Sequence, residues 1–255
     1  MIPELAEMAS AAVDRYANFL DVLRAQSDSV FRRGPTDETL RNEALAVAQG
    51  AARSFLGSEQ GQINEDTAEV ARRAYSDALA DLGAPDDVIE DRFAEFIFSS
   101  TYYVTRMLAA QAERDIMTMA QHIQSTAQRI DLYVRSGRHS VSSAAAQVMI
   151  EDRQMPAFRF VDRMGRKFKA SKHIRDTYRQ HLLNTYNEVY MDVVASFGRD
   201  VVWIDHPNPD YKWFGERVAI VSGGSEPDLP LYYDVREEVF HPSSEAIVTV
   251  REMED

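Results

Sequence analysis

The chain has 255 residues, 45% hydrophobic and 27% charged, with no cysteine and a formal net charge of −13. That length is enough for one or two cored domains, no stretch approaches the roughly 18 consecutive apolar residues of a membrane-spanning helix, and the missing cysteine excludes disulfides, thiolate nucleophiles and cysteine-ligated metal centres. The acidic balance excludes a protein that coats nucleic acid with its whole surface, because nonspecific binding depends on neutralising phosphates. The start, Met1-Ile2-Pro3-Glu4-Leu5, lacks the basic region and apolar run of a secretory signal, so the chain is expected to stay in the cytoplasm where it is made.

Residues 1–155 are rich in Ala, Glu, Arg, Leu and Gln and poor in β-branched runs, which predicts helix almost throughout. A first helix runs from about Pro3 to Arg33 on a stripe of Leu5, Met8, Ala12, Tyr16, Phe19, Leu23 and Val30, and Gly34-Pro35 ends it. A second is expected from Thr36 or Asp37 to Gly57. A third starts at Asn64, an N-cap candidate followed by Glu65 and Asp66, and closes at Gly83. Asp86 and Asp87 then suit another helix N-terminus, and neither Gly nor Pro recurs until Gly137. Phe93, Ile97, Val104, Met107, Leu108, Ile116, Met119, Ile123, Ile130 and Val134 keep close to three-and-four spacing. The helix is therefore expected to reach about 45 residues, on the order of 70 Å, unless Ser99-Ser100 interrupts it. Such a length suggests a strut or bundle spine and favours self-association.

Charge is distributed unevenly. Residues 1–155 carry 15 basic and 24 acidic side chains and residues 200–255 carry four and 13, whereas residues 156–181 carry eight basic side chains against Asp162 and Asp176. The eight are Arg159, Arg163, Arg166, Lys167, Lys169, Lys172, Arg175 and Arg179. They form a basic collar, a candidate site for a polyanion or another acidic partner, with packaged DNA among the candidates. The competing reading is a solvated face, or pairing with acidic residues of the same chain or a neighbour.

A helix from Ser171 to Phe197 carries Ile174, Tyr178, Leu182, Tyr186, Val189, Val193 and Phe197 on one face, and Gly198 terminates it. Short β-rich runs follow at Val201–Ile204, Arg217–Val221, Leu231–Val235 and Ala246–Val250, divided by loops rich in Pro, Gly and Asp. The fold class expected is α+β, predominantly α: an elongated helical region over residues 1–155, then a small helix-plus-antiparallel-sheet module over residues 156–255.

His206 and His241 each precede a proline and lie near carboxylates, Asp205 and Asp210 or Glu237 and Glu238. A His with a carboxylate partner can act as a general base, and Asp205, His206, Asp210 and His241 could hold a divalent metal in a hydrolase or nuclease. No serine elbow, HExxH or CxxC accompanies them. The favoured reading is a pair of structural loop residues, so no catalytic residue, metal site or cofactor is assigned. Ser222-Gly223-Gly224-Ser225 lacks the Lys-Ser/Thr of a phosphate loop and reads as a hairpin connection. Trp203, Tyr211, Trp213, Phe214, Tyr232 and Tyr233 lie in an acidic stretch and are assigned to the core rather than to base stacking. Met107, Met117 and Met119 are likewise assigned to helix packing.

Several features of the last hundred residues fall in a recognisable order. Asp162-Arg163-Met164-Gly165-Arg166-Lys167 leads into a long helix with Arg175, Tyr178, Asn184 and Asn187, and Phe197-Gly198-Arg199-Asp200 precedes a strand. His206-Pro207, then Gly215 before an apolar strand, and finally Phe240-His241-Pro242-Ser243-Ser244 complete the series. In these residues, over about 156–250, the chain resembles the Mu F-like minor head protein family of tailed phages. The resemblance implies a non-enzymatic virion component inside the head or at the portal vertex. Its partners would be portal or major capsid protein, its roles would lie in head assembly, DNA packaging or ejection, and the host cytoplasm would be its site of assembly. The family motif usually reads His-Pro-Asn-Cys, where this chain has Ser243 and Ser244 after His241-Pro242. A metal or disulfide cross-link is therefore not carried over, and the module is expected to hold by packing alone. A fused toxin or transferase domain, which some members of that family carry, is not expected here.

Overall fold

A computed structural model describes residues 3–85, 93–137, 139–151, 158–161, 165–241 and 244–251. Among the described residues are six helices: α1 (Pro3–Arg33), α2 (Glu38–Leu82), α3 (Ala94–Arg135), α4 (Val141–Glu151), α5 (Ala170–Ser196) and α6 (Tyr232–Val239). The strands are β1 (Arg159–Val161), β2 (Lys167–Lys169), β3 (Val201–Asp205), β4 (Arg217–Ala219) and β5 (Ile247–Thr249). The class is α+β and predominantly α, with long N-terminal helices. No described helix is long and apolar enough to cross a membrane. The chain divides into two compact units: Met1–Ala11 with Gln60–Thr105 and Arg175–Asp255, and Ala12–Glu59 with Arg106–Ile174. Both draw on residues from either side of position 155.

In the second of these units the core forms around Tyr16, whose ring lies 5.6 Å from that of Phe19 and 5.4 Å from that of Phe55. Its hydroxyl donates to Asp115 at 2.5 Å, and Gln111 donates to the other carboxylate oxygen at 3.0 Å. Asp115 is fully buried, and desolvation pushes its pKa up although both neighbours stabilise the charged form. Arg15 forks Glu59 with two bonds of 2.7 Å, and Glu59 is only 1% exposed. The end of α3 and the start of α4 share a small apolar cluster of Ile130, Ala144 and Val148.

Two of the expected helices are one. The segments assigned to 36–57 and 64–83 join in the 45-residue α2, without a break at Gly57 or Gly61. Ala44, Ala48, Ala52, Glu59, Ile63, Asp66, Val70, Ala74 and Ala78 are all buried. Their three-and-four spacing runs through both glycines on a single face. Apolar periodicity alone breaks here because the buried positions include Glu59, Asp66 and Thr67. The helix α3 also passes Ser99-Ser100 without interruption. The N-terminus expected at Asp86 and Asp87 lies outside the described residues.

In the other unit α2 and α5 run parallel along a polar seam, since partner numbers rise together. Tyr178 donates to Asp66 at 2.5 Å, Tyr186 to Asp77 at 2.8 Å and Tyr190 to Asp81 at 2.7 Å. Between the first two rungs sits His181. The Thr67 hydroxyl donates to the Ile63 carbonyl (2.5 Å), so its oxygen accepts from His181 Nε2 (2.7 Å), and Nδ1 is left to accept from Ser100 (3.0 Å). The neutral ring thus meets all its partners, and burial lowers its pKa to about 4.

The three-stranded sheet has the order β4-β3-β5 and is antiparallel throughout, pairing Val202 with Val218 and Ile204 with Val248. Alternation puts Val202 and Ile204 in the core. The edge strand is tied to α5, because Asn187 accepts from the Val248 amide (3.1 Å) and the Tyr190 hydroxyl from the Val250 amide (3.0 Å). The strand expected at Leu231–Val235 is instead the start of α6. After Pro230, Leu231 makes one bridge to Ala219 and then caps a helix whose buried residues, Tyr232, Val235 and Val239, recur at helical spacing. Tyr-Tyr-Asp-Val reads as strand on composition, but the burial pattern has the period of a helix.

Two outcomes follow for stability. Gly57 and Gly61 are exposed in mid-helix, and an added Cβ meets nothing within 4 Å. Gly57→Ala and Gly61→Ala are each expected to raise stability by about 0.5–1 kcal/mol in thermal or denaturant unfolding; a loss would show that the segment is not helical. His181 has a depressed folded-state pKa, so its contribution is complete above its ordinary value of 6.5 and is lost as pH falls towards about 4. Over that window the wild type should lose about 3 kcal/mol relative to His181→Gln. Burial raises Asp115 and Glu188, which act with the opposite sign. The difference between the two proteins isolates the histidine, and parallel stability-against-pH curves would refute its role.

Candidate polyanion-binding surface

The collar residues do not form one uniform surface. Arg159 lies in β1 and Lys167 and Lys169 in β2, a two-stranded antiparallel ribbon in which Arg159 faces Lys169, Phe160 faces Phe168 and Val161 faces Lys167. Side chains alternate across such a ribbon, so Arg159, Lys167 and Lys169 share one face, and all three are exposed. Phe168 points to the other face, where the Arg166 guanidinium and the Lys172 ammonium sit 5.8 and 5.9 Å from its ring centroid. The Phe158 carbonyl accepts from the Ala170 amide at the start of α5, and the Arg24 guanidinium lies 5.7 Å from the buried Phe158 ring. The ribbon is thus fixed at its base by aromatic contacts.

Arg163 lies outside the described residues. Arg175 is exposed on α5, in the unit that also holds the sheet. Arg179 is engaged within the fold, where it donates to the Ser244 carbonyl at 3.1 Å and lies 3.6 Å from the Glu245 carboxylate. Sequence reasoning missed the ribbon. The available signal was Arg-Phe-Val and Lys-Phe-Lys on either side of Gly165, but three-residue strands leave little periodicity to detect. The glycines of the family-like motif, Gly165, Gly198 and Gly215, all have positive φ, at 78°, 76° and 74°. They stand beside the ribbon turn, after α5 and after the turn that follows β3, where a left-handed backbone conformation favours glycine.

The two candidate histidines lie in loops. His206 stacks on Tyr211 with ring centroids 4.1 Å apart, and its Nδ1 accepts from the Asn208 amide at 3.0 Å. Tyr211 in turn donates to the Val239 carbonyl at 3.2 Å. His241 lines a cleft of about 500 Å³ with Gln180, Asn184, Tyr233, Arg236, Glu237 and Phe240. Among the described residues, which include Asp205, Asp210 and both histidines, no three His, Asp or Glu side chains gather as a metal site requires. Pro242 and Ser243 lie outside the described residues.

The Ser222–Ser225 loop carries its own anion. Ser225 donates through its hydroxyl (2.6 Å) and its amide to the Asp200 carboxylate, and these donors hold that carboxyl below its usual range. The close approach of Asp200 leaves no space for a Cβ at Gly224. The loop leads from β4 to α6, so it is not the hairpin connection expected. Of the aromatic cluster, Tyr232 is fully buried while Tyr233 is 60% exposed. Met119 is buried, whereas Met117 faces solvent, contrary to its assignment to packing.

No family model, no curated protein and no solved structure matches the chain.

The division of the collar can be measured. Arg179→Ala is expected to lower unfolding stability by roughly 1–2 kcal/mol, because it removes a charged donor from the carbonyl of the buried Ser244. Lys167→Ala and Lys169→Ala should stay within about 0.5 kcal/mol of wild type. Equal losses at all three positions in denaturant titrations would contradict this assignment.

Proposed function

We propose that the chain is a structural minor head protein of a tailed-phage virion, associated with the portal vertex and acting in head assembly, DNA packaging or ejection, without catalysis of its own. The observation that carries this reading is the placement of the motif through which residues 156–250 resemble that family. Gly165 has positive φ between the two ribbon strands, Gly198 between α5 and β3 and Gly215 between β3 and β4, and the long helix α5 is tied to β5 through Asn187 and Tyr190. Motif residues that set turns and tie a helix to a sheet belong to a structural module. His206 fits the same view, its ring stacked on Tyr211 and its Nδ1 held by a backbone amide.

The helices α2 and α3, of 45 and 42 residues, also suit a protein that packs against neighbours in an assembly. Portal protein, major capsid protein and further copies of the same chain are the partners this reading assigns.

Mass spectrometry of purified particles, with copy number measured against the major capsid and portal proteins, tests the proposal. A few to some tens of copies per particle is the expected result, and absence from both mature and immature particles would overturn it. Within the same system, His206→Ala and His241→Ala are expected to leave infectivity within about threefold of wild type. A loss of particle function on either change, in a protein that still folds, would instead support a hydrolase or nuclease built on Asp205, His206 and His241.

A further inference from the structure

The basic face of the β1–β2 ribbon is electrostatically unfavourable in isolation. Arg159 and Lys169 stand directly opposite each other in register, and like charges across an antiparallel pair destabilise it. Lys167 adds a third positive charge to that face, two residues along the strand from Lys169. In a chain with 41 acidic and 28 basic side chains, carboxylates are plentiful. Cations elsewhere use them: Arg15 pairs with Glu59 at 2.7 Å, Arg73 with Glu4 at 2.7 Å, Arg217 with Glu226 at 2.7 Å and Arg236 with Glu188 at 3.0 Å. Arg159, Lys167 and Lys169 make no ion pair among the described residues and are all exposed. The ribbon beneath them is braced by Phe158 and Phe168, so the three charges are held together on a supported element rather than on a loose tail.

From this geometry we infer that the ribbon contacts the phosphate backbone of double-stranded DNA, without regard to sequence. The inference rests on the virion reading only for the source of the DNA; the chemistry stands on the ribbon alone. Duplex DNA carries one charge per about 1.7 Å of axis, and two residues of β-strand span roughly 6.8 Å. Half of those charges belong to each strand, so about two phosphates of one backbone, with those across the groove, lie along that span. A two-stranded ribbon is admitted by the major groove of B-form DNA, whereas the deep, narrow groove of duplex RNA excludes it. Three like charges held on one short ribbon suit a regular array of phosphates better than a protein surface, whose interface would need a buried apolar core. Acidic residues elsewhere repel the same duplex and confine contact to the ribbon.

The test uses the full chain and fluorescence anisotropy with 20-base-pair DNA duplexes of two unrelated sequences, a duplex RNA and polyglutamate. Both DNA duplexes should bind equally and more tightly than the RNA or polyglutamate. With three phosphates neutralised, affinity should fall about 40-fold between 50 and 200 mM salt. The double variant Lys167→Glu/Lys169→Glu, at exposed positions where folding is not expected to change, should weaken DNA binding at least tenfold at 50 mM salt and flatten the salt dependence. Unchanged DNA affinity in that variant would overturn the inference, as would a preference for polyglutamate or no binding at 50 mM salt. A chain found in particles that does not bind DNA sinks this inference alone. A chain that binds DNA but is absent from particles sinks the virion reading alone.

Discussion

Burying a carboxylate is costly unless donors surround it, and the seam between α2 and α5 depends on that constraint. Asp66, Asp77 and Asp81 each receive a tyrosine hydroxyl from α5, with His181 bonded between the first two rungs. Apolar contacts tolerate sliding, but a Tyr–Asp rung does not: a one-residue slip would leave Asp66 buried without its donor and take the tyrosine hydroxyls from the partly covered Asp77 and Asp81. The rungs therefore fix the register of two parallel helices. Everything attached to α5 inherits that register, including β5 through Asn187 and Tyr190. Asp81 draws the chain's last described residues to the same point, since Arg251 and Thr249 also donate to it.

The same constraint explains which parts of the fold were legible in the sequence. Helix ends were readable where Gly34, Gly83 and Gly198 follow the last turn, and the apolar stripe of α1 and that of α5 from Ile174 to Val193 matched their covered faces, whereas Phe197, also assigned to the stripe, lies past the end of α5 and is exposed. The centre of α2 was not readable, because Glu59, Asp66 and Thr67 occupy core positions that a hydrophobic pattern treats as surface. Their partners, Arg15, Tyr178 and His181, are 44 to 114 residues away, and no local rule connects them. The α6 segment failed for the opposite reason. Tyr232, Tyr233 and Val235 have strand-like composition, and the helix follows from the tertiary burial of Tyr232, Val235 and Val239.

At the candidate surface, charge was legible and its division was not. Eight basic residues within 26 positions mark the region unambiguously, but nothing in their spacing reveals that Arg179 is engaged with Ser244 and Glu245. Nor does it reveal that Arg166 and Lys172 lie over Phe168, on the face opposite Lys167 and Lys169. The collar resolves into a bracing set and a presenting set only once the ribbon is seen. An alternation of charged and aromatic residues within three positions carries this information in principle, since on any strand it places the two kinds on opposite faces.

The contrast between an acidic chain and one small basic face also bears on the kind of contact that face can make. On the proposed reading, three cations would release few counterions, so binding through them would be modest and its salt dependence shallower than that of a broad basic surface. The surrounding negative field opposes any spread of a polyanion beyond the ribbon. Tight, stationary binding would call for a broader basic surface and fewer carboxylates. The proposed contact, made by three cations on a braced ribbon, would be local and reversible. In a particle whose contents must move past its proteins, a contact that holds position without gripping is physically consistent with the role proposed.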